Sequence, residues 1–245
     1  MRPLLAITAV ALLTVSASAA ADWRSSLKNM LGQAQQSSAG TAALDNSQIV
    51  AGLREALAQG TTQAINSLGK TDGFWKNAAV RIPLPQPLSG IESTLRQFGQ
   101  GPKLDEFQLT LNRAAEKAVP QVADIFGNAI RQMSVTDAQA ILKGSDDAAT
   151  RYFQRTTSAS LKAKILPIVQ NATASVGVTQ EYKALSTKAG PFLQLAGKTS
   201  PDLDGYVTDK ALDGLFTTIA EEEKRIRENP AARSTELLKK VFASQ

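Results

Sequence analysis

Apolar residues recur at steps of three and four along much of this chain of 245 residues, and this spacing constrains the fold more than any other feature. The clearest stretch runs through Leu104, Phe107, Leu111, Ala114 and Ala118. Such steps place side chains on one face of a helix, whereas a half-buried strand requires strict alternation. No segment shows sustained alternation, so we predict an all-α fold, a single irregular bundle of about eight to ten helices.

Capping residues and proline predict where these helices begin and end. Side chains that can accept a hydrogen bond from a first-turn N–H group are expected to cap helices at Asn46 or Ser47, Ser134, Ser145 and Thr208. A separate helix is predicted from about Ser158, and Pro120 is expected to kink or break the helix that begins near Lys103. Oppositely charged residues four apart predict two ion pairs near the chain's end, Glu221 with Arg225 and Glu223 with Arg227.

The segment between Gly69 and Leu88 has a different composition. Its prolines disfavour helix, and its apolar residues need to be covered, namely Phe74, Trp75, Ile82 and Leu84. We predict a long Pro-rich apolar loop that lies on the helices. Filling the helical core is the favoured role for it. Two alternatives stay open, namely contacting a partner or ligand through Trp75 and Arg81, and resting on a membrane surface.

The N-terminus has the pattern of a cleavable secretory signal peptide over residues 1–21. One early charge at Arg2 is followed by an apolar run from Leu4 to Val15 and then by small residues up to Ala21. The run is too short to span about 30 Å of hydrocarbon, and no later stretch qualifies as a transmembrane segment. Because the chain has no cysteine, no lipid can be attached at a new N-terminus. We therefore expect a periplasmic protein of a Gram-negative bacterium that is not a lipoprotein.

The remaining chain is expected to form a leader and one domain. Residues 22–44 are rich in Gln, Ser, Gly and Ala, which predicts a short helix and a flexible leader. Residues 45–245 are expected to form a single helical domain. Hydrophobic residues make up 43% of the chain, which is enough to bury a core without disulfides.

Composition excludes several classes of function. Without histidine or cysteine, the chain cannot build the usual zinc sites, a Ser-His-Asp triad or a Cys-His dyad. The acidic run near Asp202 departs from a calcium loop, so neither a metal nor a cofactor is predicted. The net charge of +5 is spread among interleaved signs and aromatic residues are only 5%, so a nucleic-acid partner is not expected.

The densest polar cluster contains Asp146, Asp147, Arg151 and Tyr152. Paired carboxylates can serve acid/base or metal chemistry. Two aspartates in the first turn of a helix also complement the positive end of its dipole, and Asp147 with Arg151 is an i,i+4 pair. Both readings stay open, although the structural one is favoured.

Arg113 is the other candidate, since it lies within a helix of mostly small and apolar residues. Such an arginine is expected to point into a groove and to pair with a carboxylate, for which Asp209 is one possibility.

Five long segments resemble a bacterial exported family known as domain of unknown function 4197. They are LGKTDGFWKNAAVRIPLP from Leu68, LNRAAEKAVP from Leu111, DDAATRYFQRTTSASL from Asp146, VGVTQEY from Val176 and YVTDKALDGLFTTIAEEEKRIRENPAARSTELLKKVF from Tyr206. The resemblance covers about Ser47 to Phe242. It implies an exported, mostly helical domain and brings no activity, cofactor or catalytic residue.

Two hypotheses of function follow from the sequence. The first is a non-catalytic helical module of the periplasm that binds a peptide, lipid or protein partner of the cell envelope, and it is favoured because the usual catalytic residue types are missing. The alternative is an envelope hydrolase that depends on carboxylates and arginine. The candidate residues leave the identity of a ligand and the oligomeric state open.

Overall fold

The computed structural model describes residues 45–86, 88–177, 179–184 and 202–229. Within these ranges the chain forms helices and no strand, which confirms the predicted all-α class. The seven α-helices are α1 (Asn46–Gly69), α2 (Glu92–Gln97), α3 (Gly101–Ala118), α4 (Ala123–Gln132), α5 (Val135–Leu142), α6 (Ala148–Ala174) and α7 (Leu203–Glu228). The predicted count of eight to ten is therefore slightly too high for the described ranges.

Some predictions fall outside these ranges. The signal peptide of residues 1–21 and the leader of residues 22–44 lie beyond the described residues, as do residues 185–201 and 230–245 of the predicted domain. By its internal contacts the chain divides between Ala43 and Leu44, and the described residues belong to the second unit.

The residue that caps helix α1 lies one or two residues before the predicted ones. Asp45, and not Asn46 or Ser47, is the N-cap, and its side chain forms a reciprocal capping box with Gln48. The apolar residues Leu53 and Leu68 of α1 are buried.

Proline ends helix α3 as predicted. The α-helix ends at Ala118, a 3₁₀-helix follows over Val119–Val122, and α4 continues from Ala123. Pro120 has no N–H group to donate within an α-helix, so the tighter turn takes over at this point. The apolar face of α3 is buried at Leu104, Phe107, Leu111, Ala114 and Ala118.

Helix α6 accounts for part of the overestimated count, because it is one helix of 27 residues where two were predicted. The predicted break fell in a run of hydroxyl residues near Ser158. In the structure, the hydroxyl groups of Thr156, Thr157 and Ser158 each donate to the carbonyl oxygen four residues earlier. These side chains therefore stay within the helix and do not end it.

Helix α7 begins five residues before its predicted cap at Thr208. Asp202 is the N-cap, and its carboxylate accepts a hydrogen bond from the Gly205 N–H group at 2.9 Å. Thr208 is instead fully buried inside the helix.

The ion pairs predicted near the end of α7 have mixed outcomes. The pair of Glu223 with Arg227 is confirmed at 2.8 Å. The predicted pair of Glu221 with Arg225 is wrong, because Arg225 binds Glu222, three residues before it. Both spacings place charges on neighbouring positions of a helix surface, so spacing alone does not choose between them.

The hydrophobic core is shared by the four longest helices. Helix α6 packs against α7 and α3, and α1 packs against α7. Phe126 of α4 forms edge-to-face ring contacts with Phe153 of α6 and Phe216 of α7, with centroids 5.2 and 6.5 Å apart. The segment from Lys70 to Gln86, which has no helix, contributes the buried side chains of Phe74, Val80, Ile82 and Leu84 to the same core.

Candidate functional site

A buried carboxylate on α3 holds the first half of the segment 70–86. Glu116 is only 4% exposed, and its Oε1 accepts hydrogen bonds from the backbone N–H groups of Phe74 at 3.0 Å and Trp75 at 3.1 Å. Hydrogen bonds to a charged acceptor are stronger than neutral ones. The backbone beside Trp75 is therefore fixed to the helix.

Arg113 completes this attachment from the same helix. Its guanidinium donates to Glu116 Oε2 and to Asp72 Oδ1, both at 2.6 Å. Hydrogen bonds from Lys76 and then from Arg113 hold the pKa of Asp72 below its ordinary value. Arg113 thus pairs with carboxylates, as expected, but Asp209, named as one possibility, is not among them, because it accepts from Lys162 at 2.6 Å.

A buried amide holds the second half of the segment. Asn112 is fully buried, accepts from the Ile82 N–H group at 2.8 Å and donates to the Ile82 carbonyl at 3.0 Å. The Gln108 amide donates to the same carbonyl at 3.1 Å. The Asn112 side-chain amide therefore satisfies both the N–H group and the carbonyl of Ile82, as a neighbouring strand would in a sheet.

These attachments were missed by reasoning from the sequence, although the spacing carried a signal. Gln108, Asn112 and Glu116 lie four residues apart along α3, so their side chains share one face beside the apolar stripe. A stripe of three polar residues next to a buried apolar stripe indicates a buried polar contact. Which backbone groups these three side chains bind depends on how the loop lies across the helix. The spacing of residues along the helix gives no information about that.

The segment 70–86 is also enclosed by α7. A Cβ atom added to Gly214 would lie 2.7 Å from Phe74 Cε1 and 3.1 Å from Val80 Cβ, which is closer than normal packing allows. Glycine at this position lets the Phe74 ring pack directly on the backbone of α7. The segment is therefore held between α3 and α7.

On the outer side, this segment forms a groove beside Trp75. The Arg81 guanidinium carbon lies 3.7 Å from the centroid of the half-buried Trp75 ring, which is a cation–π contact. The groove has a volume of about 790 Å³. It is lined by Trp75, Lys76, Ala78, Arg81, Pro83, Glu92, Arg96 and Gln108.

The groove is basic, and its cations differ in their partners. Lys76 pairs with Asp72 at 2.8 Å, and Arg96 pairs with Asp105 at 2.7 Å and with Glu92 at 2.9 Å. Arg81 is exposed and forms no ion pair with a carboxylate of the described residues. Its charge acts on Asp105 only at a distance, as one of the smaller causes that lower the pKa of that carboxyl.

The aspartates of the second candidate cluster are at the surface. Asp146 is exposed, and Asp147 pairs with Arg151 at 2.5 Å and accepts a hydrogen bond from the Ser145 hydroxyl at 2.7 Å. The hydrogen bond from the Ser145 hydroxyl is the largest cause that holds the pKa of Asp147 below its ordinary value, and Arg151 lowers it further. A general acid needs a raised pKa near the working pH, so this carboxylate is suited to remain charged and not to donate a proton.

Tyr152 lies on the other side of α6 and is buried. Its hydroxyl donates to the Ala129 carbonyl at 3.0 Å, and burial raises its pKa. With Arg155 it borders a separate polar groove of about 520 Å³ between α4 and α6. The structure thus places Trp75 and Arg81 together, with Arg113 holding the same segment from behind through Glu116 and Asp72. It places Asp147, Tyr152 and Asp209 in other surroundings.

A further buried carboxylate is that of Glu223, for which the sequence predicted only an ion pair with Arg227. Glu223 of α7 accepts hydrogen bonds from the N–H groups of Ala149 and Thr150, each at 2.9 Å, in the first turn of α6. A negative charge at this position satisfies otherwise unpaired N–H groups and complements the helix dipole. The role is structural, because these bonds join α7 to the start of α6.

Two kinds of feature are absent from the described ranges. They contain no group of three or more acidic residues arranged to hold a metal ion. None of their helices combines the length and apolar character needed to cross a membrane.

Comparison with known proteins gives a family. The family model described as "Protein of unknown function (DUF4197)" matches residues 43–243, which is most of the chain. The match confirms the resemblance carried by the five segments. No curated protein and no solved structure matches the chain.

Proposed function

Because the chain belongs to the DUF4197 family, whose description assigns no activity, we propose from its physical features that it is a non-catalytic binding module of the bacterial cell envelope. In this proposal, the groove beside Trp75 binds an acidic group of an envelope partner. The partner is a peptide, a lipid or a protein that presents a carboxylate or a phosphate.

The observation that carries the proposal is the exposed Arg81 guanidinium stacked on the Trp75 ring at 3.7 Å. Stacking on an aromatic face limits the rotation of the guanidinium, and no carboxylate of the described residues forms an ion pair with it. A planar guanidinium binds carboxylate or phosphate through two parallel hydrogen bonds. Arg81 therefore has the geometry of an anion receptor.

The rigid attachment of the loop supports the same proposal. Glu116 and Asn112 fix the backbone on both sides of the Trp75–Arg81 pair. A side chain that is already ordered loses less conformational entropy when a partner binds.

We prefer this proposal to a hydrolase that depends on carboxylates and arginine. The candidate carboxylate Asp147 has a lowered pKa and lies in an exposed ion pair with Arg151. Exposed i,i+4 pairs of this kind commonly stabilise the end of a helix.

The proposal includes export to the periplasm through the signal peptide of residues 1–21, without lipid attachment. We expect the protein in the fraction released by osmotic shock, with an N-terminus at Ala20 or Asp22. N-terminal sequencing of the released protein tests this, and a chain that keeps Met1 contradicts it.

Binding is tested by retention of envelope components on the immobilised protein. We expect Arg81→Gln to lose a component that the wild-type protein retains, as identified by mass spectrometry. Arg131→Gln is the control, because Arg131 is also exposed but lies on α4, away from the groove. Equal retention by all three proteins contradicts the proposal.

A further inference from the structure

The polar groove between α4 and α6 is formed by two facing stripes of side chains. Each stripe follows its helix at steps of three and four, so its members lie on one face of that helix. The groove has a volume of about 520 Å³, which is within the range of small-molecule sites. It is lined by the exposed polar side chains of Asn128 and Gln132 from α4 and of Arg155, Thr156 and Ser160 from α6. It is called here the α4–α6 groove.

The two charged side chains that line this groove compensate each other. Asp137 of α5 lies 3.9 Å from Arg155. One turn further along α4 and α6, Lys164 pairs with Asp124 at 4.0 Å. The α4–α6 groove therefore differs from the groove beside Trp75, where Arg81 has no carboxylate partner among the described residues.

Several polar groups in the α4–α6 groove have hydrogen-bonding capacity left. Within the described ranges, Gln132 and Ser160 form no side-chain hydrogen bond. Asn128 Oδ1 accepts from Arg131, which leaves the Asn128 NH₂ group to donate. The Thr156 hydroxyl donates to a carbonyl of its own helix at 2.8 Å, so its oxygen can still accept. Donors and acceptors thus stand side by side on both walls.

We propose that the α4–α6 groove binds a neutral saccharide. Every hydroxyl group of a saccharide both donates and accepts, as carboxamide and hydroxyl side chains do together, so the two sets are complementary. Ile125 and Ala129 form a small apolar floor against which the C–H groups of a sugar ring pack. The site is separate from the groove beside Trp75, so this inference does not rest on the proposed function.

A neutral saccharide suits this groove better than an anion does. An anion that approached Arg155 would also face the carboxylate of Asp137. A hydroxyl group has no such conflict, because it accepts from the guanidinium and donates to the carboxylate.

A saccharide also suits the groove better than a peptide. Peptides are commonly recognised at a free sheet edge, in a hydrophobic groove or on exposed aromatic rings. The described ranges contain no strand, the apolar floor is limited to Ile125 and Ala129, and the Tyr152 ring is buried.

Nuclear magnetic resonance titration of the isotope-labelled exported protein tests the inference. The probes are maltotriose and chitotriose, two neutral trisaccharides, and a capped alanine tripeptide. We expect a trisaccharide to shift the side-chain NH₂ signals of Asn128 and Gln132, and the tripeptide to leave them in place. The dissociation constant should be the same in low and high salt, because a neutral ligand carries no charge for salt to screen.

Variants connect these shifts to the groove. Gln132→Ala and Ser160→Ala should each raise the dissociation constant of the trisaccharide about fivefold, since one neutral hydrogen bond contributes about that factor. Gln154→Ala is the matched control, because Gln154 is exposed on α6 but lines a different cavity, and it should leave the dissociation constant unchanged. Thermal melts of all three variants should agree with the wild-type melt within a few degrees, since these are surface changes.

Each other outcome overturns the inference. Shifts caused by the tripeptide and by neither trisaccharide assign the groove to a peptide ligand. The absence of shifts with every probe, or a dissociation constant that Gln132→Ala leaves unchanged, removes the saccharide site. Arg81→Gln should not affect the trisaccharide titration, so this inference and the proposed function succeed or fail independently.

Discussion

Glu116 and Glu223 show what single buried side chains do in this protein. Each is a buried carboxylate that accepts hydrogen bonds from two backbone N–H groups of another segment. Each is also balanced by an arginine, Arg113 or Arg227. A buried charge is tolerated only when it is paired and hydrogen-bonded in this way.

Replacing Glu116 with alanine should destabilise the protein strongly. The change removes the acceptor of the Phe74 and Trp75 N–H groups and leaves Arg113 with one fewer partner. We expect the free energy of unfolding to fall by about 3 kcal/mol, which is typical when the buried partners of a charged group lose that group. Urea denaturation followed by circular dichroism measures the change.

Glu106→Ala is the matched control for this prediction. Glu106 is exposed on the same helix, so its replacement should change the free energy of unfolding by less than about 0.5 kcal/mol. Equal effects of the two substitutions would mean that Glu116 does not hold the loop.

At the scale of elements, two helical glycines differ in the space around them. A Cβ added to Gly60 of α1 would lie 3.5 Å from Ile226 Cδ1, which is ordinary contact. A Cβ added to Gly214 of α7 would lie 2.7 Å from the Phe74 ring. The close packing of the loop on α7 therefore requires glycine, whereas the packing of α1 on α7 does not.

The same substitution at these two positions should have opposite effects. Gly60→Ala should raise the free energy of unfolding by about 0.5 to 1 kcal/mol, because alanine favours helix and fits. Gly214→Ala should lower it by about 1 to 3 kcal/mol through overpacking against Phe74. Thermal melts of both variants check this, and stabilisation by Gly214→Ala would show that the loop does not pack on α7 as described.

At the scale of the whole molecule, charge pairing determines how stability depends on pH. The chain has no histidine, so no side chain has its ordinary pKa between about pH 5 and pH 8. Hydrogen bonds from Lys76, Arg96, Ser134 and Ser145 are the first causes of lowered pKa values at, respectively, Asp72, Asp105, Asp137 and Asp147.

The direction of these shifts fixes the pH range of acid unfolding. A carboxyl group with a lowered pKa in the folded state binds its proton more weakly there than in the unfolded chain. Its contribution to stability is complete above its ordinary pKa of 3.8 and is lost as the pH falls through the lowered value. We expect a constant melting temperature from about pH 8 to pH 5 and a fall below about pH 4. A step in melting temperature between about pH 5 and pH 7 would contradict this.

The sequence by itself determined the fold class and several helix boundaries. Helical spacing, the Ser134 cap and the break at Pro120 depend on residues within one or two turns of each other, so they can be read locally. The cap of α7 and the continuity of α6 were misread because aspartate and hydroxyl side chains have more than one local hydrogen-bonding option.

Only the tertiary structure decided which polar residues meet. Asn112 binds Ile82, Glu116 binds Phe74 and Trp75, and Glu223 binds the start of α6, at separations of 30 to 74 residues. Spacing along a helix fixes the face on which a side chain lies, but the choice of partner depends on how distant segments cross. For the same reason the stacking of Arg81 on Trp75 was open in the sequence, since the five residues between them allow many loop conformations until α3 and α7 fix one.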